Sequence, residues 1–306
     1  MIAIYLNTLF THNFTKIYST KVRMKNFLLC LALGLSITGC ATTKISTEER
    51  NKLNQTQALL KTNPVAVISD GCLIRSELGT SLIEGEQSRL TAQKFAELLS
   101  SQLNEQGVKV GHKIMPFVCG FMPEEQVKKY DYRLDNEAKR AEIKNYPLVS
   151  LENKTLSEQQ QQALLNLTQS FNKQAVLALK NAKEKKPVSN LLELNDQDIT
   201  ALKNLTQSDY VFIASVTGTD ASFGKKFAAG ALSVGVSLAT VGAGSGFVTA
   251  YIPQEGQQYV VHIVDLNSKT IMWTKGGMLM GKPYSRKNHS IEAKAILNPL
   301  FEVASK

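Results

Sequence analysis

The chain of 306 residues lacks the short motifs that carry common enzyme chemistry. It has no G-x-x-x-x-G-K-[ST] phosphate loop, no G-x-S-x-G nucleophile elbow and no H-E-x-x-H zinc helix. The glycine-rich "GAGSG" at Gly242–Gly246 lacks the spacing and the following lysine of a phosphate loop, and reads as a flexible turn. Beyond Cys40 the histidines are His112, His262 and His289. The first two lie in strand patterns, the third precedes a helix, and no spacing gathers a Ser–His–Asp or Cys–His set. Asp70, before Gly71, is the carboxylate at a predicted strand end, where α/β sites gather; the Asp-Gly pair reads more readily as a turn. The expectation is therefore a protein that is not an enzyme, with no catalytic residue and no metal site.

Charge of one sign is missing as well. No acidic residue precedes Cys40, while Lys16, Lys21, Arg23 and Lys25 do. These four account for part of the net charge of +9, leaving +5 from Cys40 onward. That balance is not gathered into a patch, so nucleic acid is not an expected partner. The densest basic run, Lys180–Pro187, reads as a solvated helix end.

Residues 27–39 carry no charge at all. As a helix they would reach roughly 20 Å, short of the ~30 Å hydrocarbon core of a bilayer. A basic residue, a short apolar stretch and small residues before a cut are the secretory pattern. The closing residues Ile37, Thr38, Gly39 and Cys40 resemble the bacterial lipobox. That resemblance implies cleavage before Cys40, a diacylglycerol on its thiol and an N-acyl chain such as palmitate on its new amino group. Two or more chains anchor stably where one does not. Residues 1–39 are then a signal peptide. Residues 1–23 read either as an upstream extension, with Met24 the true start, or as a long n-region. In Gram-negative families an aspartate after the cysteine retains the protein in the inner membrane, so Ala41 implies an outer-membrane lipoprotein facing the periplasm.

Only four cysteines are present. Cys30 leaves with the leader and Cys40 takes the lipid. Cys72 and Cys119 remain, an even pair in an oxidising compartment. They follow two runs, "PVAVIS" and "KVGHKIMPFV", that fit neighbouring parallel strands, so they are read as a disulfide, with two buried free thiols the alternative. Neither has a second ligand at the spacing zinc requires.

The remainder reads as a lipidated tether, 40–63, and a single periplasmic α/β (α+β) domain, 64–306. The tether opens with a helix-start signal at Ser46 or Thr47 with Glu49. The domain is expected to hold a mixed sheet of about five strands flanked by helices. A helix capped by Ser88 ends at Gly107. Residues 122–207 form a helical insertion, with one helix along the glutamine run and another over about 196–205. Strands follow at Ser208–Gly218, Gln257–Leu266 and Thr270–Met278, the last two a hairpin around "NSK". A final helix starts at Ser290 and is interrupted by Pro299.

"LTQSDYVFIASVTG" followed by "YVVHIVDLNSKTIMWTKG" resembles envelope lipoproteins of the curli-secretion family and the N-terminal domain of the Tol-system propeller protein. The resemblance covers Pro64–Gly107 and Ser208–Met278, and Asp265–Trp273 carries it best. It implies a small sheet domain working in the cell envelope.

One further absence stands out: Phe227–Ile252 carries no charge within an insertion at 225–253. Leu232, Val234, Val236 and Leu238 alternate with small residues, which is strand periodicity; as a helix the same residues make a smooth packing surface. Three readings stand: a buried or partner-facing element, a membrane-entering hairpin of an oligomeric pore, or a transmembrane helix. The function expected is that of an anchored lipoprotein binding other envelope proteins or further copies of itself. A pore subunit and an unrecognised hydrolase are the alternatives.

Overall fold

The computed structural model describes residues 46–77, 80–122, 124–133, 148–149, 156–184, 189–221, 256–279 and 296–301. The expected leader and lipobox, with Ile37, Thr38, Gly39 and Cys40, and the apolar segment with Leu232, Val234, Val236 and Leu238 lie outside them, as does the expected start of the last helix at Ser290.

Ser46 opens α1, Thr47–Thr62, through a complete capping box. Its Oγ accepts from the Glu49 amide and the Glu49 carboxylate accepts from the Ser46 amide, so two of the orphan donors of the first turn are satisfied. Leu53 and Leu60 are buried in the core, and Gln57 Nε2 donates to the Leu300 carbonyl. The segment expected as tether is thus helical from residue 47, with one face packed on the domain.

β1 spans Val65–Glu77, β2 Thr80–Glu84 and α2 Gly85–Glu105. β1 does not turn at Asp70-Gly71, contrary to the sequence reading; it continues and pairs antiparallel with β2. The glycine serves a close approach instead. A Cβ on Gly71 would lie 2.0 Å from the Ser88 carbonyl oxygen of α2. Ser88 does not cap the helix, which begins three residues earlier. Its Oγ donates to the Glu84 carbonyl and accepts from the Leu73 amide, tying α2 to β1. The helix does end as expected, with Gly107 at φ +79 just beyond it.

The run "KVGHKIMPFV" is two strands, β3 at Val110–Ile114 and β4 at Phe117–Val118, separated at Pro116, which has no amide to donate. Both pair parallel with β1. After α3, Glu124–Val127, come β5 at Asp131–Arg133 and β6 at Leu148–Val149. The helices α4, Glu158–Glu184, and α5, Asp196–Thr206, fall where the sequence placed them, and α5 starts on a capping box of Asn195 with Asp198. β7 at Tyr210–Ala221, β8 at Gly256–Asp265 and β9 at Thr270–Leu279 complete the sheet. A last helix, α6, covers 296–301 and runs through Pro299.

The result is a mixed sheet in the order β5-β2-β1-β7-β8-β9, with β3 and β4 also on β1 and β6 on β4. It flanks its strands with helices, as expected, and exceeds the expected five strands by short additions at the β1 edge. β1 and β7 run parallel in continuous register from Val65↔Tyr210 to Ser76↔Ala221. Because side chains alternate, odd-numbered β1 residues face α1, α2 and α6, where Val65, Val67, Phe212, Val261, Ile263 and Trp273 form one core. Even-numbered ones face the opposite side, where Ile68, Ile213, Val264 and Ile271 meet Leu164, Leu167 and Phe171 of α4 and Leu202 of α5.

Candidate functional site

The second sheet face changes character along the strands. Its first row is apolar: Ala66, Val211, Val264 and Ile271 in register. The next row is Ile68, Ile213, His262 and Thr274. Then come Asp70 beside Ser215, and Cys72 beside Thr217 and Gln258. Asp70, Ser215, Thr217, Gln258 and His262 are all buried. A polar row inside a core costs free energy unless its groups are paired, so this is where function is sought.

Asp70 is fully buried and Cys72, two residues on, shares its face. The Cys119–Met122 turn lies against both. Cys72 and Cys119 are joined by a disulfide, with Cα atoms 4.5 Å apart, as the parallel-strand argument expected. The Asp70 Oδ2 accepts from the Phe121 amide at 3.0 Å. Cys119 itself adopts φ +59, a left-handed conformation that its bridge and its amide bond to the Gly71 carbonyl hold in place. Burial pushes the Asp70 carboxyl up to about 7, while the amides of Phe121, Gly120, Gly71 and Cys119 pull the other way. Its other oxygen, Oδ1, has no hydrogen-bond partner, and neither does Ser215 Oγ on the adjoining strand.

His262 lies on β8, under α4. Its Nδ1 shares a 2.9 Å hydrogen bond with Thr274 Oγ1, and its ring lies 4.8 Å from that of Phe171. Desolvation pushes its pKa down to about 3, so the imidazole is neutral. Phe171 in turn meets Phe121 edge-on at 5.8 Å, and Phe121 meets Phe117 at 6.4 Å. An aromatic line thus runs from the disulfide turn to the histidine.

The fold does bring an aspartate, a serine and a histidine to one sheet face on three adjacent strands, which spacing along the chain did not reveal. The arrangement is not that of a catalytic triad. A triad needs the histidine between nucleophile and carboxylate; here Ser215 sits between Asp70 and the histidine strand, and the His262 Nδ1 bond goes to Thr274. The signal available in the sequence was parity: Asp70, Ser215 and His262 each fall on the same face once the β1–β7–β8 register is known. His112, by contrast, lies exposed on β3, and His289 is outside the described residues.

At the far end of the sheet Glu84 is buried against Arg133, which donates to both carboxylate oxygens, with Arg75 at 3.6 Å. This bidentate pair joins β2 to β5. No group of three or more His, Cys, Asp or Glu side chains placed to hold a metal occurs among the described residues. No described helix is long and apolar enough to cross a membrane. No family model matches the chain, and neither a curated protein nor a solved structure matches it.

Proposed function

We propose that the protein is an outer-membrane lipoprotein, anchored through acyl chains on Cys40, whose periplasmic α/β domain works by binding other envelope proteins rather than by catalysis. The observation that carries the reading is the Cys72–Cys119 bridge. Disulfides persist in the envelope and are rare in the cytosol, and a lipobox cysteine ahead of a disulfide-bearing domain is consistent with export. The resemblance to the curli-secretion and Tol-propeller domains, carried by Asp265–Trp273, points to the same compartment. The capping box at Ser46 supports a short linkage. Five residues, 41–45, lie between Cys40 and Ser46. The non-catalytic reading draws support from the polar row, whose histidine and carboxyl are buried and engaged with Thr274 and Phe121.

The test is fractionation of cells carrying Cys40→Ala, with mass spectrometry of the mature amino terminus. Release of the variant from membranes, and acyl chains on Cys40 in the parent, are expected. A membrane-bound Cys40→Ala protein would refute the anchor. Crosslinking in cells then identifies the partners.

A second reading is a subunit of an oligomeric pore. The specific observation favouring it is the β7–β8 ladder, which is antiparallel and in register to Thr219↔Gly256. A hairpin through Leu232, Val234, Val236 and Leu238 would prolong such a ladder of antiparallel neighbours. Conductance of the purified protein in planar bilayers tests it; a monomer that conducts nothing refutes it.

A further inference from the structure

Among the described residues four large apolar side chains are exposed: Leu59, Val176, Leu177 and Leu191. Val176 is 67% exposed and Leu191 52%, so both are surface residues despite their type. Val176, Leu177 and Leu191 belong to one stretch of surface. The segment 191–193 runs antiparallel beside α4. Gln174 Nε2 donates to the Leu191 carbonyl at 2.6 Å, and Ser170 Oγ accepts from the Glu193 amide at 2.7 Å. Lys173 pairs with Glu193 on the outside of this contact. At about 100° per residue, Lys173, Val176, Leu177 and Lys180 share one helix face. That face is turned away from Phe171, Gln174 and Ala178, which are buried. Lys180 is exposed. The sequence continues with Lys183, Lys185 and Lys186 against the one carboxylate of Glu184.

We propose that this stripe of α4, with Leu191 beside it, is a docking surface for an anionic phospholipid bilayer. Val176, Leu177 and Leu191 enter the headgroup boundary, and Lys180 with the lysines after it meets the phosphates. The proposal rests on the acylation of Cys40 stated above.

Three arguments select a lipid surface as the occupant. The first is chain length. Residues 41–45 are all that lie between Cys40 and the cap of α1, a reach of roughly 20 Å when fully extended. A domain anchored so closely rests some part of its surface against headgroups. β9 links the tethered helix to the stripe: Trp273 lies in one core with Leu53 and Leu60 of α1, and Thr270 pairs with Leu191. The second is charge. Apolar side chains beside lysines match a boundary that is hydrocarbon below and anionic above. The third is size. A stable protein interface takes about 800 Å² from each partner, more than three aliphatic side chains supply. A surface already tethered needs far less, because the second contact is intramolecular and its effective concentration is high.

The experiment uses the mature, acylated protein in vesicles of phosphatidylethanolamine and phosphatidylglycerol. Val176→Cys provides a thiol for a nitroxide label, since Cys72 and Cys119 are bridged. His112→Cys provides the comparison, exposed on β3 across the sheet from β9. The label at 176 should lose most of its collisions with a water-soluble nickel chelate and gain collisions with oxygen. The label at 112 should stay open to the chelate. Lys180→Glu, or vesicles of phosphatidylcholine alone, should lower the docked population about tenfold, and added salt should lower it too. Equal chelate access at the two positions in phosphatidylglycerol vesicles, with the protein still bound and acylated, overturns the dock, leaves the stripe to a protein partner and spares the anchor. Protection at 176 that ignores both Lys180→Glu and lipid charge overturns the lysine contact with phosphate. Protein that leaves the vesicles and carries no acyl chain by mass spectrometry refutes the anchor, and the dock with it.

Discussion

Removing the Cys72–Cys119 bridge should be the most informative single perturbation of this fold. The bridge closes a loop with a sequence separation of 47. In the chain-entropy model a loop of that size restricts the unfolded chain by about 14 cal/mol/K, or about 4 kcal/mol at room temperature. Against this stands the left-handed conformation of Cys119, φ +59, which costs a residue with a Cβ about 1–2 kcal/mol. Two double variants separate the effects. Cys72→Ala with Cys119→Ala loses the cross-link and keeps the strained backbone, so the full ~4 kcal/mol is expected to go. Cys72→Ala with Cys119→Gly relieves the strain and should recover about 1 kcal/mol. The assay is urea unfolding, for which a domain of this size has a slope near ~3 kcal/mol/M, so the first variant shifts the midpoint by a little over ~1 M. The slope itself should rise, because the unfolded chain is no longer looped and exposes more surface. A shift below about 0.3 M, or equal losses in the two variants, would refute the cross-link argument or the strain argument respectively.

Other changes test separate contacts. Gly71→Ala drives a Cβ into the backbone of α2 at Ser88 and should cost about 3 kcal/mol, measured as a lowered unfolding midpoint with the disulfide still formed. Gln207→Gly should raise the melting temperature by a few degrees, since Gln207 closes α5 in a left-handed conformation that glycine adopts without the ~1 kcal/mol penalty. Phe171→Ala removes the ring that covers His262 and meets Phe121; a loss of about 3–5 kcal/mol by chemical denaturation is expected. Gln57→Ala leaves the Leu300 carbonyl without its donor and should cost about 1–2 kcal/mol, with faster proteolysis of the terminal helices as the independent readout.

Much of the architecture was legible before any coordinates, and the reasons are local. Ser46 with Glu49 announces α1 because a capping box satisfies backbone donors within one turn of chain. Gly107 ends α2, and "NSK" divides β8 from β9, because each is a conformational preference of a few residues. The cysteine pairing was legible because two strand-like runs before two cysteines suffice to align them. What misled was the dual meaning of small and polar residues. Asp70-Gly71 has the composition of a turn, yet Gly71 is there to let α2 approach and Asp70 to hold a distant amide. Ser88 has the composition of a cap, yet its hydroxyl bridges helix and strand.

The candidate site was the least legible part, and the difference is one of range. Local propensity and patterning depend on neighbours in sequence, so the chain alone determined helices, strands and the class of fold. The polar row depends on register between strands that lie 145 residues apart, as Asp70 and Ser215 do. No short-range rule sets that register. Only the packing of α4 and the disulfide turn over β1, β7 and β8 decides that a carboxyl, a hydroxyl and an imidazole share one dry face, and so how each is charged.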